Sequence, residues 1–169
     1  VKFFVANTYK KIKLQLLLLK KSDYVAVDIE TDGKDWRQDG IVGIGFYGST
    51  TAFHIPISHR RYDCAKRGDV LKALTPFFAN PKIRVCMHNG NFDRNFLESY
   101  GIPVKNFWMD TQVAYHLCDD NARQGLKYIM QEVYGIPAEK FKTVFTKRKP
   151  VWDSDPQVYE RYLYRDVKY

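Results

Sequence analysis

The chain has 169 residues, 45% of them hydrophobic, 15% aromatic and 27% charged, with 27 Lys and Arg against 19 Asp and Glu for a net charge of +8. That length suits one domain able to bury roughly 68–70% of its unfolded surface, and the apolar content and aperiodic Gly and Pro exclude disordered and collagen-like classes. The basic excess points to a polyanionic partner, nucleic acid before an anionic membrane surface. Tyr9 to Lys21 reads as a short amphipathic helix. After the Ser22-Asp23 break, Tyr24 to Glu30 alternates and is rich in β-branched residues, as a strand should be. Ile41–Tyr47 and Thr51–Ile57 read as two more strands, joined in a hairpin at Gly48-Ser49. A helical spacing over Val70–Ala79 precedes a short apolar strand, Ile83–Met87. Asn91 to Tyr100 is a helix closed by Gly101, and Phe107 to Asp110 is a fifth strand running into a helix from Thr111 to Leu117. Helices over Gly125–Tyr134 and from about Asp155 to the end complete a mixed α/β layered domain.

Cys64, Cys86 and Cys118 are odd in number and far apart, which argues against a disulfide framework or a structural zinc site and for a reducing compartment such as the cytoplasm. The apolar run Leu16–Leu19 is too short for a membrane span and lacks the cleavage site of a signal peptide. The chain starts at Val1 and stops within a predicted helix, which reads as a piece of something longer. His54, His59, His88 and His116 have no metal-ligand spacing and read as structural.

Carboxylates at unexpected places carry the chemistry. Asp28 and Glu30, one residue apart in a strand, share a face. Their repulsion weakens the strand unless a hard divalent cation lies between them or the strand end is solvated. Next, His88-Asn89-Gly90-Asn91-Phe92-Asp93 follows an apolar strand, so Asn89 or Asn91 can cap the next helix and Asp93 falls in its first turn, favourable to the helix dipole. Last, Tyr162 and Asp166 lie four apart on one helix face, with Tyr159 extending the stripe. Each has a bland structural explanation when taken alone.

Together, Asp28-Ile29-Glu30-Thr31, Asn89-x3-Asp93 and Tyr162-x3-Asp166, with the lesser Phe107-Trp108-Met109-Asp110-Thr111 motif, resemble the proofreading 3′→5′ exonuclease domain of family A DNA polymerases, in the DEDD superfamily. The tyrosine places the resemblance in the tyrosine subtype, because the position where the other branch carries His holds Arg161. Departures are His88 for a frequent Gln, Phe92 for a frequent Tyr, which loses a hydroxyl able to reach a phosphate, and Lys34 at a place that is usually apolar. The resemblance covers nearly the whole chain.

It implies a ribonuclease-H-like fold with a five-stranded mixed sheet flanked by helices, in a single domain over residues 1–169. It also implies two divalent cations, Mg²⁺ or Mn²⁺. Asp28, Glu30 and Asp166 would hold the first; Asp28 would bridge to the second, with Asp93 holding that ion's waters. Tyr162, too weak a base at neutral pH, would orient the attacking water. The implied substrate is a single-stranded DNA 3′ end, hydrolysed to 5′-nucleoside monophosphates, with a covalently linked polymerase as partner and no membrane. Thr31, His88, Asn89 and Phe92 would contact the strand. Lys140, Lys142, Lys147, Arg148 and Lys149, interleaved with Phe141, Phe145 and Trp152, would follow its phosphates and stack its bases, or form a solvated loop over core aromatics. An RNase D-like exoribonuclease and a non-catalytic 3′-end-binding domain are the competing readings; the presence of all four carboxylates disfavours the second.

Overall fold

A computed structural model describes residues 2–169. In chain order the elements are β1 (Phe3–Val5), α1 (Tyr9–Leu19), β2 (Tyr24–Thr31), β3 (Ile41–Tyr47), β4 (Ala52–Pro56), α2 (Arg67–Phe78), β5 (Arg84–Met87), α3 (Gly90–Ser99), β6 (Phe107–Asp110), α4 (Thr111–Cys118), α5 (Leu126–Tyr128), α6 (Phe141–Val144) and α7 (Pro156–Lys168). The sheet has six strands in the order β1-β4-β3-β2-β5-β6, not the expected five. The extra strand is β1, which pairs parallel with β4. Its three residues are fewer than the four that period-2 alternation needs to be visible, so tertiary pairing alone defines it.

β2 lies at the centre, antiparallel to β3 and parallel to β5. Its alternation divides the molecule. Val25, Val27 and Ile29 belong to the larger core with α1, α2 and α3, while Tyr159, Tyr162, Leu163 and Val167 of α7 form a second core on the opposite face. The even-numbered residues of β2, Asp28 and Glu30 among them, therefore face α7.

That helix comes close because of two glycines on β3. Gly45 is opposite Asp28 and Gly43 opposite Glu30 in the register. A Cβ at Gly43 would run into the Tyr159 hydroxyl, and one at Gly45 would lie 2.8 Å from Leu163 side-chain carbons. Tyr159 is fully buried and cannot move aside.

One other expectation is corrected. The helix expected over Gly125–Tyr134 is a single α turn, α5, followed by a π-helical turn over Ile129–Val133. The segment after it contains the short helix α6, a bridge between Thr146 and Lys149 and a 3₁₀ turn over Val151–Asp153. The lysines of α1 (Lys10, Lys11, Lys13) and those that follow it (Lys20, Lys21) are exposed, as a solvated face should be. No helix among the described residues is long and apolar enough to cross a membrane.

Candidate active site

Three carboxylates meet between β2 and α7. Tyr162 and Asp166 are one turn apart on α7 and project toward Asp28 and Glu30. One carboxylate oxygen from each of Asp28, Glu30 and Asp166 lies within 4.8 Å of the others. Asp93 lines the same cavity of about 280 Å³ but stands outside this trio. Its placement follows from the sheet. β5 pairs with β2 only as far as Ala26, so the Ile29 N–H has no strand partner on that side. The Asp93 carboxylate, in the first turn of α3, accepts it at 2.9 Å.

Crowding buried carboxylates changes their proton affinity. Burial, opposed by the nearby Lys127 ammonium, raises the Asp28 carboxyl to about 7. Burial and the charges of Asp28 and Asp93 raise Glu30 well above the carboxylate range. Asp93 is raised by burial and by Asp28, with the Ile29 N–H opposing. Burial and the charges of Glu30 and Asp28 also raise the Tyr162 hydroxyl. It therefore keeps its proton at neutral pH and can act as a hydrogen-bond donor or acceptor but not as a base. Such a trio wants a cation. All its donors are hard oxygens, the preference of Mg²⁺ and Mn²⁺, and it has already drawn the Lys127 ammonium into an ion pair with Asp166. The residues present fit a divalent metal site.

The family model for 3′–5′ exonucleases matches residues 5–169. The chain belongs to that family, the exonuclease domain of family A DNA polymerases. It is 34% identical over 110 residues to DNA polymerase I of Chloroflexus aurantiacus, covering 64% of this chain and 12% of that protein. It is 26% identical over 141 residues to DNA polymerase I of Borreliella burgdorferi, covering 81% and 15%. The chain thus spans only a small part of the curated relatives it matches. Among solved structures it resembles the catalytic core of RRP6 from Trypanosoma brucei, with a TM-score of 0.77, 17% identity and coverage of 98% of this chain and 43% of that one. Escherichia coli RNase D, an exoribonuclease, gives 0.72, 17%, 99% and 42%. Brucella melitensis NrnC with bound Mg²⁺ gives 0.67, 23%, 98% and 74%. At these identities the likeness shows the fold, which is ribonuclease-H-like.

The rest of this exonuclease domain's cleft is built around the turn between β5 and α3. Asn89 occupies the cap position of α3 in the left-handed region, φ 59°, one of few residue types to tolerate it. Its side chain makes no capping bond, contrary to the expectation. The carboxylate of Asp110 caps instead, accepting from the Asn89 N–H at 3.0 Å and the Gly90 N–H at 2.7 Å while also accepting from the N–H groups of Gln112 and Val113. One side chain thus anchors the starts of α3 and α4, which is the physical use of the Asp110-Thr111 pair. Thr111 lies 3.0 Å from His88 Nδ1. Burial lowers the His88 pKa, so the ring is neutral at physiological pH. His88 and Asn89 line the small cavity, as does Phe92, which packs on Phe96.

Beyond lies a second cavity of about 910 Å³ that shares Ile29, Glu30, Asn89, Phe92 and Phe141 with the first. Thr31, Lys34, Phe145 and Trp152 line it, as do Lys142 and Lys147 from the basic segment. Lys140, Arg148 and Lys149 are exposed outside that lining. Phe145 and Phe141 pack edge-on against Tyr162 at 5.1 and 6.0 Å, coupling the two cavities. Glu139, the acidic residue of the segment, is paired with Arg161 and Arg165 of α7. His54 and His59 are buried in the ring cluster with Tyr62 and Tyr159, and the His116 ring pairs with Gln124, all away from the trio.

Sequence reasoning missed Lys127. It is one of 27 basic residues, and no spacing distinguishes it. The only available signal is that it lies early in a segment read as helical, opposite no acidic neighbour.

Proposed function

We propose that residues 1–169 form one exonuclease domain, the editing part of a longer polymerase, which hydrolyses single-stranded DNA 3′ ends to 5′-nucleoside monophosphates. The observation that carries this reading is the trio of Asp28, Glu30 and Asp166 beside Tyr162, with Glu30 also lining the adjoining aromatic and basic cavity. That the curated relatives are DNA polymerase I supports the polymerase link and DNA as substrate.

Asp28, Glu30 and Asp166 would hold a divalent cation, with Asp28 shared toward a second and Asp93 supporting it from α3. Mg²⁺ or Mn²⁺ held there would supply charge stabilisation at the attacking and leaving oxygens. The protein's own groups do the positioning. Tyr162, protonated at neutral pH, orients the attacking water through its hydroxyl. Asn89 and Phe92 flank the terminal nucleotide. Phe145 and Trp152 offer stacking faces and Lys142 and Lys147 hold phosphates, which needs no base identity. The carboxylate cleft admits a terminal nucleotide only after it is unpaired, at a cost of a few kcal/mol per base.

The test is the initial rate on a single strand, a mismatched primer–template and a matched one, beside an RNA of the same sequence. The expected order is single strand, then mismatch, then matched end, with mismatched and matched ends separated by roughly tenfold or more, since each 1.36 kcal/mol of melting cost is tenfold in rate. Equal rates on all DNA substrates with faster hydrolysis of RNA would replace this reading with the RNase D-like one.

A further inference from the structure

Lys127 is the cationic side chain that contacts the trio. It lies on α5, which follows Gly125 without a side-chain cap after the exposed stretch Asp119–Asn121, and is anchored on its C-terminal side by buried Ile129 and Met130 of the π turn. Its ammonium pairs with the Asp166 carboxylate, lies 4.4 Å from the centre of the Tyr162 ring, and shares its cavity with Asp28 and Glu30. Single-turn π segments recur at functional sites. Here the turn that runs into the π segment carries a lysine whose ammonium meets carboxylates that would otherwise repel one another.

Resting on the reading of this trio as a divalent cation site, we propose that Lys127 is a built-in placeholder: its ammonium holds Asp28, Glu30 and Asp166 together when the ion is absent, and the ion enters by displacing it. An ammonium and a divalent ion compete for the carboxylate lone pairs that face the centre of the trio. An ammonium is a single charge with three donors on a flexible stem, whereas a divalent ion takes several carboxylates at once, so the ion wins when present. Until then the ammonium offsets the cost of leaving crowded carboxylates uncompensated in a partly buried cleft. Lys127 is thus a positioning residue for the metal site. It preorganises the trio, and it weakens apparent metal affinity by the fraction of molecules in which it occupies the site.

The experiment measures Mn²⁺ affinity of the 169-residue chain by calorimetry, with thermal melts in EDTA and in saturating Mg²⁺, for the native protein, Lys127→Met and Lys127→Arg. If Lys127 fills the site in nine molecules of ten, Lys127→Met binds Mn²⁺ about tenfold more tightly. It also melts lower than the native protein in EDTA, and that gap closes in Mg²⁺. Lys127→Arg keeps the native affinity. Equal or weaker Mn²⁺ binding by Lys127→Met overturns the placeholder while leaving the metal site standing. Absence of Mn²⁺ binding in both proteins overturns the metal reading itself. Should Lys127→Met fail to fold, amine labelling of the native chain decides: Lys127 is protected in EDTA and several-fold more reactive with Mn²⁺, and unchanged labelling overturns the proposal.

Discussion

The two walls of the cleft are built by different means. Asp28, Glu30, Asp93 and Asp166 are carried on β2, α3 and α7, elements fixed by two apolar cores and by a strand register that places glycines opposite Asp28 and Glu30. The facing wall, from Gly125 to Trp152, is a single α turn, a π turn, a four-residue helix and a 3₁₀ turn, and between Gln131 and Val151 only Phe145 is buried. On the proposed reading, groups that must keep fixed distances sit on the scaffold, and groups that would accommodate a strand of any sequence sit on turns. The difference predicts that changes on the first wall act on the chemical step and that changes on the second, Lys127 apart, act on strand binding.

The largest effect should come from the shared carboxylate. Asp28→Ala is expected to lower the rate on single-stranded DNA by about a thousandfold or more, since it removes several kcal/mol of charge stabilisation, with little change in the thermal melt. Tyr162→Phe removes one hydroxyl and should cost roughly tenfold to a hundredfold in kcat, the worth of a hydrogen bond near charge, with Mn²⁺ affinity unchanged by calorimetry. A silent Tyr162→Phe beside an inactive Tyr164→Phe would place the water-orienting hydroxyl elsewhere on α7. Gly43→Ala drives a methyl into the buried Tyr159 hydroxyl. It should cost about 1–3 kcal/mol in a denaturant melt and lower kcat, because α7 must move away from β2.

On the turn-built wall the expected effects are smaller. Lys142→Ala and Lys147→Ala should each raise KM several-fold, leave kcat nearly unchanged and reduce the slope of log affinity against log salt by about one. Lys140→Ala, outside the cavity lining, should do less. A loss of kcat from Lys147→Ala would break the division between the walls. The last effect concerns metal-free stability. Burial raises the folded-state Asp28 pKa from 3.8 to about 7, so between those values the folded state binds more protons than the unfolded one. The Asp28 contribution to stability is therefore fully present below pH 4 and declines as pH rises to 7. Denaturant melts in EDTA should show the native chain losing stability relative to Asp28→Asn across that window. A difference independent of pH would contradict the raised carboxyl.

The same division explains which parts of the molecule are legible in the sequence. The alternation of Tyr24–Glu30 and the four-residue spacing of Tyr162 and Asp166 are written in local periods, so the carboxylate wall can be read from the order of residues alone. β1 cannot, because three residues joined to a distant strand have no period of their own. Capping by Asp110 is hidden because that carboxylate reaches back across the sheet, whereas local spacing assigns the task to an asparagine. Lys127 and the split of the basic segment into cavity-lining and outward-facing lysines depend on a π turn and short helices that carry little sequence signal.

The central claim is that these carboxylates act by holding divalent cations. The most direct measurement is nucleotide release from a 3′-labelled single-stranded DNA with Mg²⁺, after EDTA, and after restoration with Mn²⁺. The account predicts full activity, loss to background and recovery, in that order. Undiminished hydrolysis in excess chelator would contradict it.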